Sequence, residues 1–509
     1  MVPKEAMVAS RTPVGPPPMA LQPEIDARAR AFLSTPKGML VEGETVAGFT
    51  GEMIPVVDPS SGRVLTEVPA CGSLDVDLAV QGARTAFDDG RWCRSAPMAR
   101  ERRLHRLAEL IEGEAESLAQ LECLDVGKPI SQARADVGVA AEIIRYYAGW
   151  SSKIHGGTSP ARDIFGYTLR EPLGVCAGII PWNFPIIMVA LKLGPALACG
   201  NTLVLKPAEQ APLTALRVGE LCLDAGIPPG VVTVVPGYGE TAGDALVRHP
   251  GVDKISFTGS TEVGKLIVSR AAGTLKSVTL ELGGKSANVV FADGDLALAA
   301  KAAMQGIWTN AGQWCVAGTR LLVEAPAHDE LVGRIVEESR HLKLGPGLDP
   351  TVDMGPLISD DQRARVARYI AAGVSDGAEI ALGGKTLDGP GYFVEPTVFT
   401  GVDNRMRIAQ EEIFGPVVSV IAFNGEADAV RLANQSRYGL AAAVWTRDIT
   451  RAHRAAQALQ AGLVWVNTYG YFDYSSSYGG YKESGFGREL GPESINDYTH
   501  TKSVLVQLT

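Results

Sequence analysis

Four short apolar runs, at residues 175–180, 202–205, 231–235 and 254–257, constrain the fold of this chain more than any other feature. Each is closely followed by proline or glycine, and helical stretches separate them. Runs this short, without polar alternation, read as strands buried on both faces, and helical crossovers make them one doubly wound, mostly parallel sheet. A second series follows at 320–323, Val417–Phe423, Ala441–Trp445 and Leu463–Val466. A chain of 509 residues is too long for one hydrophobic core, so two α/β domains in succession are expected.

Around these series the texture differs. Residues 1–20 are rich in proline without periodicity and read as a disordered tail. Residues 56–68 show β-type alternation broken by Pro, Ser and Gly. The spacing of Leu104, Leu107, Ile111, Ala115 and Leu118 predicts one amphipathic helix over 98–121, and a second spans about 130–150. Residues 502–508 make a last apolar strand whose partner the pattern leaves open, either in another subunit or in the chain itself.

Composition excludes several classes. The net charge of −10, with no long basic run, argues against nucleic acid or an anionic membrane as partner. No apolar run reaches the roughly 18 residues that span a bilayer, and the start of the chain lacks the pattern of a signal peptide. Seven cysteines stand singly with no CxxC pair, which fits reduced thiols in the cytoplasm rather than disulfides or a metal site.

The chemistry concentrates between two motifs, Glu281-Leu-Gly-Gly-Lys285 and Asn310-Ala-Gly-Gln-Trp-Cys315. A thiolate attacks carbonyl carbon, and a nearby carboxylate moves protons or activates water. Taken singly, Glu281 reads equally as a turn residue and Cys315 as a small buried hydrophobe. None of the seven histidines falls into a catalytic pattern with Cys315. Residues 259–265 satisfy G-x-x-x-x-G-K, but Leu266 stands where a triphosphate loop needs Ser or Thr for magnesium. The strand–glycine–helix order there still suits a diphosphate at a helix N-terminus. Pro181-Trp-Asn-Phe-Pro185, and then Lys206 and Glu209, follow strands at their C-terminal ends, where open α/β sheets bind ligands. Asn183 can donate its amide to an oxyanion or simply cap a turn.

Together, Ile180-Pro-Trp-Asn-Phe-Pro185, Leu205-Lys-Pro-Ala-Glu-Gln210, Phe257-Thr-Gly-Ser-Thr261, the two motifs above, Glu411-Glu-Ile-Phe-Gly-Pro-Val417 and Gly479-Gly-Tyr-Lys-Glu-Ser-Gly-Phe-Gly-Arg488 closely resemble the aldehyde dehydrogenase superfamily in its NAD(P)-dependent, hydrolytic branch. The resemblance implies a Rossmann-like cofactor domain (21–150 and 172–282), an α/β catalytic domain (283–485) and a small β oligomerisation element (151–171 and 486–509). It implies a homodimer or homotetramer with no metal. Cys315 would form a thiohemiacetal and then a thioester, Asn183 and the Cys315 backbone N–H would hold the oxyanion, and Glu281 would activate water. Lys192 and Glu489 match proton-relay positions.

For NAD, Lys206 and Glu209 match the adenosine-ribose contacts, Trp182 and Ser260 the diphosphate region, and Glu412 and Phe414 the nicotinamide-ribose side. Ile179, Pro181, Gly239, Gly243, Phe257, Gly259, Val263, Leu282 and Gln362 complete that surface. A carboxylate at Glu209 disfavours NADP without excluding it. Val139, Phe184, Met188, Leu191, Trp308, Trp314, Val316, Tyr471, Phe472 and Tyr478 match the substrate tunnel. None is charged, so a hydrophobic aldehyde, aromatic or medium-chain, is expected. Alternatives are a betaine-aldehyde or semialdehyde dehydrogenase, or a catalytically silent binding relative. Many relatives carry Pro-Phe where Ser477-Tyr478 stand here.

Overall fold

The structure, a computed structural model, describes residues 25–160 and 162–508; the tail expected at 1–20 lies outside them. Both apolar series become sheets. In the first, Val232–Val234, Thr202–Lys206, Val175–Ile179, Lys254–Thr258 and Ser277–Glu281 lie side by side, all parallel. Met39–Val41 and Glu44–Val46 extend one edge antiparallel, and Gly485–Phe486 extends the other. The parallel strands are buried along nearly their whole length because helices cover both faces, which is why their sequences carry no polar alternation.

The order of these strands sets where a ligand can sit. From Val175–Ile179 the chain winds outward through Thr202–Lys206 to Val232–Val234, then returns to place Lys254–Thr258 on the other side of Val175–Ile179. The winding therefore reverses between Val175–Ile179 and Lys254–Thr258, and a crevice opens there at the strands' C-terminal ends. The second sheet runs Glu379–Leu382, Thr397–Thr400, Val417–Phe423, Arg320–Glu324, Ala287–Val290, Ala441–Trp445 and Leu463–Val466. Only its Glu379–Leu382 edge is antiparallel.

Two expectations are refined. The helix expected over 98–121 is two, Pro97–Gly113 and Ala115–Val126, broken where Glu114 leaves helical geometry at φ −115° and ψ 20°. Gly113, a poor helix former, stands just before the break. The open question of the terminal strand is answered within the chain: Thr499–Gln507 pairs antiparallel with Ile164–Pro172, which also pairs with Thr158–Pro160. Most of Thr499–Gln507 is exposed, so its apolar residues gave no face by which to find that partner.

Candidate active site

The thiol loop is held in an unfavourable backbone shape. Helix Leu296–Trp308, capped by Asp295, ends where the Trp308 indole donates to Ser339 Oγ at 3.1 Å. Asn310, Ala311 and Gly312 then take φ values of 47°, 52° and 72° in succession. Left-handed backbone costs about 1 kcal/mol or more at a non-glycine residue, so neighbours must hold it. Asn310 N–H donates to Gln132 Oε1 (3.0 Å), its Nδ2 donates to the Asn183 carbonyl (3.0 Å), and Ile358 N–H donates to Gln313 Oε1 (2.9 Å). Gly312 cannot be replaced, because a Cβ there would run into the Gly415 carbonyl. The Asn183 amide donates to the Gln313 carbonyl at 3.0 Å, two residues before Cys315. Asn183 and the thiol loop are thus interlocked by reciprocal bonds.

One side of Cys315 is polar and buried. Glu281 ends the strand Ser277–Glu281, is only 4% exposed, and neither carboxyl oxygen has a hydrogen-bond partner among the described residues. Burial pushes this carboxyl well above the ordinary carboxylate range, and the nearby Glu489 charge pushes the same way. A Cβ at Gly479 would come within 2.9 Å of Glu281 Oε1, so glycine makes room for the carboxyl. Glu489 pairs with Lys192, whose ammonium also donates to Thr258 Oγ1 at 2.7 Å. Two carboxyl groups, one cation and a hydroxyl form a single buried cluster.

The other side is aromatic. The Trp314 and Phe184 centroids lie 6.4 Å apart, Trp314 and Phe472 6.3 Å, and Phe472 and Tyr478 5.7 Å, the last pair edge to face. The Tyr478 hydroxyl lies 3.3 Å from Cys315 Sγ. Met188 and Leu191 are buried on helix Pro185–Ala198, and Trp308 and Val316 are buried beside the thiol loop. Val139 packs half-buried against the same core. Tyr471 does not join them: it is 66% exposed, and only its carbonyl is engaged, by the Trp465 indole at 2.7 Å. Burial pushes the Cys315 thiol up to about 12, opposed by the Tyr478 hydrogen bond and reinforced by the Glu412 and Glu281 charges.

A buried charge cluster stands behind the rings, at residues that no motif in the sequence marks. Lys128 lies 4.2 Å from the Phe184 centroid, fully buried, and donates to Asp136 at 2.6 Å and Glu122 at 3.2 Å. Nothing in the local sequence distinguishes these charges from a solvated helix face.

The cofactor candidates gather where the first sheet reverses. Pro181 and Trp182 follow Val175–Ile179, which ends in Ile179; Phe257 lies within Lys254–Thr258, and Gly259 and Ser260 follow it. Ser260 caps helix Thr261–Ala271 by accepting from Val263 N–H at 3.3 Å, and the Val263 side chain is largely exposed. Lys206, buried at the end of its strand, bonds Glu209 at 3.3 Å. Gly239 and Gly243 bound one turn of π-helix beyond it, where a Cβ on Gly243 would lie 3.9 Å from the Lys206 side chain. Trp182 meets Phe414 edge to face at 5.3 Å, and Gln362 Nε2 donates to the Phe414 carbonyl at 2.7 Å. Glu412 Oε1 accepts from Gly284 N–H at 2.9 Å, and burial lifts this carboxyl to about 7. A Cβ on Gly284 would come 2.5 Å from the Cys315 carbonyl, so that glycine brings the Glu281–Lys285 loop against the thiol. Leu282 N–H is tied to the Ser484 carbonyl at 3.0 Å. Lys265, the lysine of the triphosphate-like motif, is instead paired with Glu483 at 3.0 Å.

A doubly wound sheet whose strand order reverses near the half-buried Cys315 and the buried Glu281 defines an α/β enzyme. The chain belongs to the aldehyde dehydrogenase family, whose model matches residues 46–504. It is 48% identical over 464 residues to mouse (Mus musculus) retinal dehydrogenase 2, covering 90% of this chain and 89% of that one. An NAD+ complex of aldehyde dehydrogenase from Bacillus cereus superposes with TM-score 0.94 at 45% identity, covering 96% and 99%. P. syringae indole-3-acetaldehyde dehydrogenase with NAD+ gives TM-score 0.93 at 45% identity, covering 94% and 98%.

Proposed function

We propose that this enzyme oxidises a hydrophobic aldehyde, aromatic or medium-chain, to its carboxylic acid with NAD. The observation that carries the proposal is one thiol set between an unpartnered buried carboxyl and a wall of rings. The candidate cofactor residues fit NAD: a capped helix N-terminus and the buried Lys206–Glu209 pair flank the crevice, and Glu412 leads from it to the thiol. When bound, NAD+ supplies the acceptor for the aldehyde hydride. Glu209 favours NAD over NADP, because a carboxylate at the adenosine ribose repels a 2′-phosphate. The relatives named for retinal and for indole-3-acetaldehyde support an apolar substrate.

In the protein's part of the reaction, Cys315 sulfur bonds to the carbonyl carbon while the C=O π pair moves to oxygen. The Asn183 amide, with one N–H on Gln313, directs the other at that oxygen beside the Cys315 backbone N–H. After oxidation to the thioester, Glu281 removes a proton from water as the water attacks, and the acid leaves as Cys315 sulfur regains the electron pair. Lys192 and Glu489 carry the proton from Glu281 outward. Residues 21–150 and 172–282 serve as the cofactor domain, 283–485 as the catalytic domain, and 151–171 with 486–509 as the oligomerisation element. The exposed apolar residues Phe165, Leu169, Leu505 and Val506 support a homodimer or homotetramer built on that last element. Among the described residues no helix is long and apolar enough to cross a membrane, and the cysteines are unpaired, which supports a cytoplasmic enzyme.

The test is NADH formation with octanal, benzaldehyde, betaine aldehyde and succinate semialdehyde, for wild type and Cys315→Ala, with NADP as second cofactor. Turnover of the first two, absent in Cys315→Ala, is expected. Preference for betaine aldehyde would turn the rings into a cation cage. Preference for the semialdehyde would overturn the apolar reading. No turnover of any aldehyde would leave a silent relative.

A further inference from the structure

The Cys315 sulfur has one side-chain hydrogen-bond partner among the described residues, and it is neither a histidine nor a lysine but the phenol of Tyr478, at 3.3 Å. That hydroxyl is held in place from two directions. Its ring packs edge to face on Phe472, and its backbone exchanges two hydrogen bonds with Glu489, both 2.7 Å. Tyr478 is 7% exposed, and its hydroxyl makes no other protein bond among the described residues. A buried phenol normally finds a partner, and here the partner is the sulfur. The charged groups facing the pair oppose an anion: Glu281 and Glu412 face the sulfur, and Glu281 and Glu489 face the phenol. The cations Lys192 and Arg488 favour the ionised form of the Glu281 carboxyl. A thiolate in this setting needs a donor, and once the sulfur is ionised only the phenol of this pair can donate.

We propose that Tyr478 is a catalytic residue of this chain: its O–H donates to the Cys315 sulfur and holds it as the thiolate that attacks the aldehyde carbon. The thiol proton leaves to water before the attack. The C–S bond then forms with the sulfur pair, the C=O π pair moves to oxygen, and the phenol keeps its proton throughout. The proposal rests on Cys315 being the nucleophile.

The experiment is the rate of iodoacetamide alkylation across neutral to alkaline pH for wild type and Tyr478→Phe, with Cys315→Ala subtracting the other thiols. Phenylalanine keeps the ring packing and removes only the hydroxyl. In Tyr478→Phe the alkylation profile moves to higher pH, and the neutral-pH rate falls roughly tenfold, the scale of one hydrogen bond to a charged group. An unchanged profile and rate would overturn the proposal. If NADH formation in wild type is nevertheless lost in Cys315→Ala, the dehydrogenase reading stands without it. If wild type oxidises no aldehyde, that reading fails, while the alkylation profile still decides the hydrogen bond.

Discussion

Cys315 has two unlike sides. Toward Glu281 the surroundings are charged, buried and incompletely bonded: among the described residues, both Glu281 oxygens and Glu489 Oε2 have no partner. Toward Phe184, Trp314 and Phe472 the surroundings are packed rings, and the one buried cation behind them is bonded to two carboxylates. An unsatisfied buried carboxyl is costly to keep, so it marks where proton chemistry is done. A satisfied charge under a ring marks where shape is held. On the proposed reading, proton transfer belongs to the polar side and recognition to the rings, with the Tyr478 hydroxyl reaching the sulfur from the aromatic side.

The polar side can be broken most deeply at its carboxyl. Glu281→Gln is expected to lower steady-state turnover by about 10²–10⁴-fold, the usual worth of a general base, while a first burst of NADH survives. Stopped-flow absorbance separates the two phases. A base must be unprotonated to act, and burial raises this carboxyl's pKa. Wild-type hydrolysis should therefore be weak in acid and climb with pH through a range well above that of ordinary carboxylates, and in the Gln variant this climb should vanish. Equal loss of burst and turnover would place Glu281 on the wrong step.

Behind the rings, Lys128→Met would leave Glu122 and Asp136 buried without their cation. Removing one partner from such a cluster costs about 3–5 kcal/mol, which urea unfolding would show as a lower midpoint. A midpoint unchanged from wild type would mean that the two carboxyl groups are neutral there and need no cation.

The aromatic side divides more finely. Trp314→Ala should raise KM for octanal about tenfold or more, since burying one large apolar group is worth roughly 1.5–3 kcal/mol, and should change acetaldehyde little. Tyr471→Ala, in solvent, should stay within about 0.5 kcal/mol of wild type on both. Equal effects of the two substitutions would move the tunnel mouth outward to Tyr471.

The sequence was legible where one residue type has few other uses. Buried parallel strands such as Thr202–Lys206 show as unbroken apolar runs because both faces are covered. Glu281, Asn183 and Cys315 each sit in a distinctive motif, and the structure brings the three motifs together. Other features are non-local. Glu122, Lys128 and Asp136 carry the same letters as surface charges, and only packing shows that they meet. The break at Glu114 is a backbone event inside an apolar rhythm that runs straight through it. The partner of Thr499–Gln507 lies more than three hundred residues away on a strand that is itself partly exposed. Tyr478 was legible as part of the pocket, but its hydroxyl's contact with the sulfur depends on a bridge to Glu489 that no spacing announces.

The central claim is that Cys315 carries the acyl group and Glu281 releases it. The most direct measurement is peptide mass spectrometry of Glu281→Gln, quenched in acid after mixing with NAD+ and octanal. The account predicts an octanoyl group on the peptide containing Cys315, accumulating to nearly one per active site. NADH formation with that peptide unmodified, or with the acyl group on another residue, would contradict it.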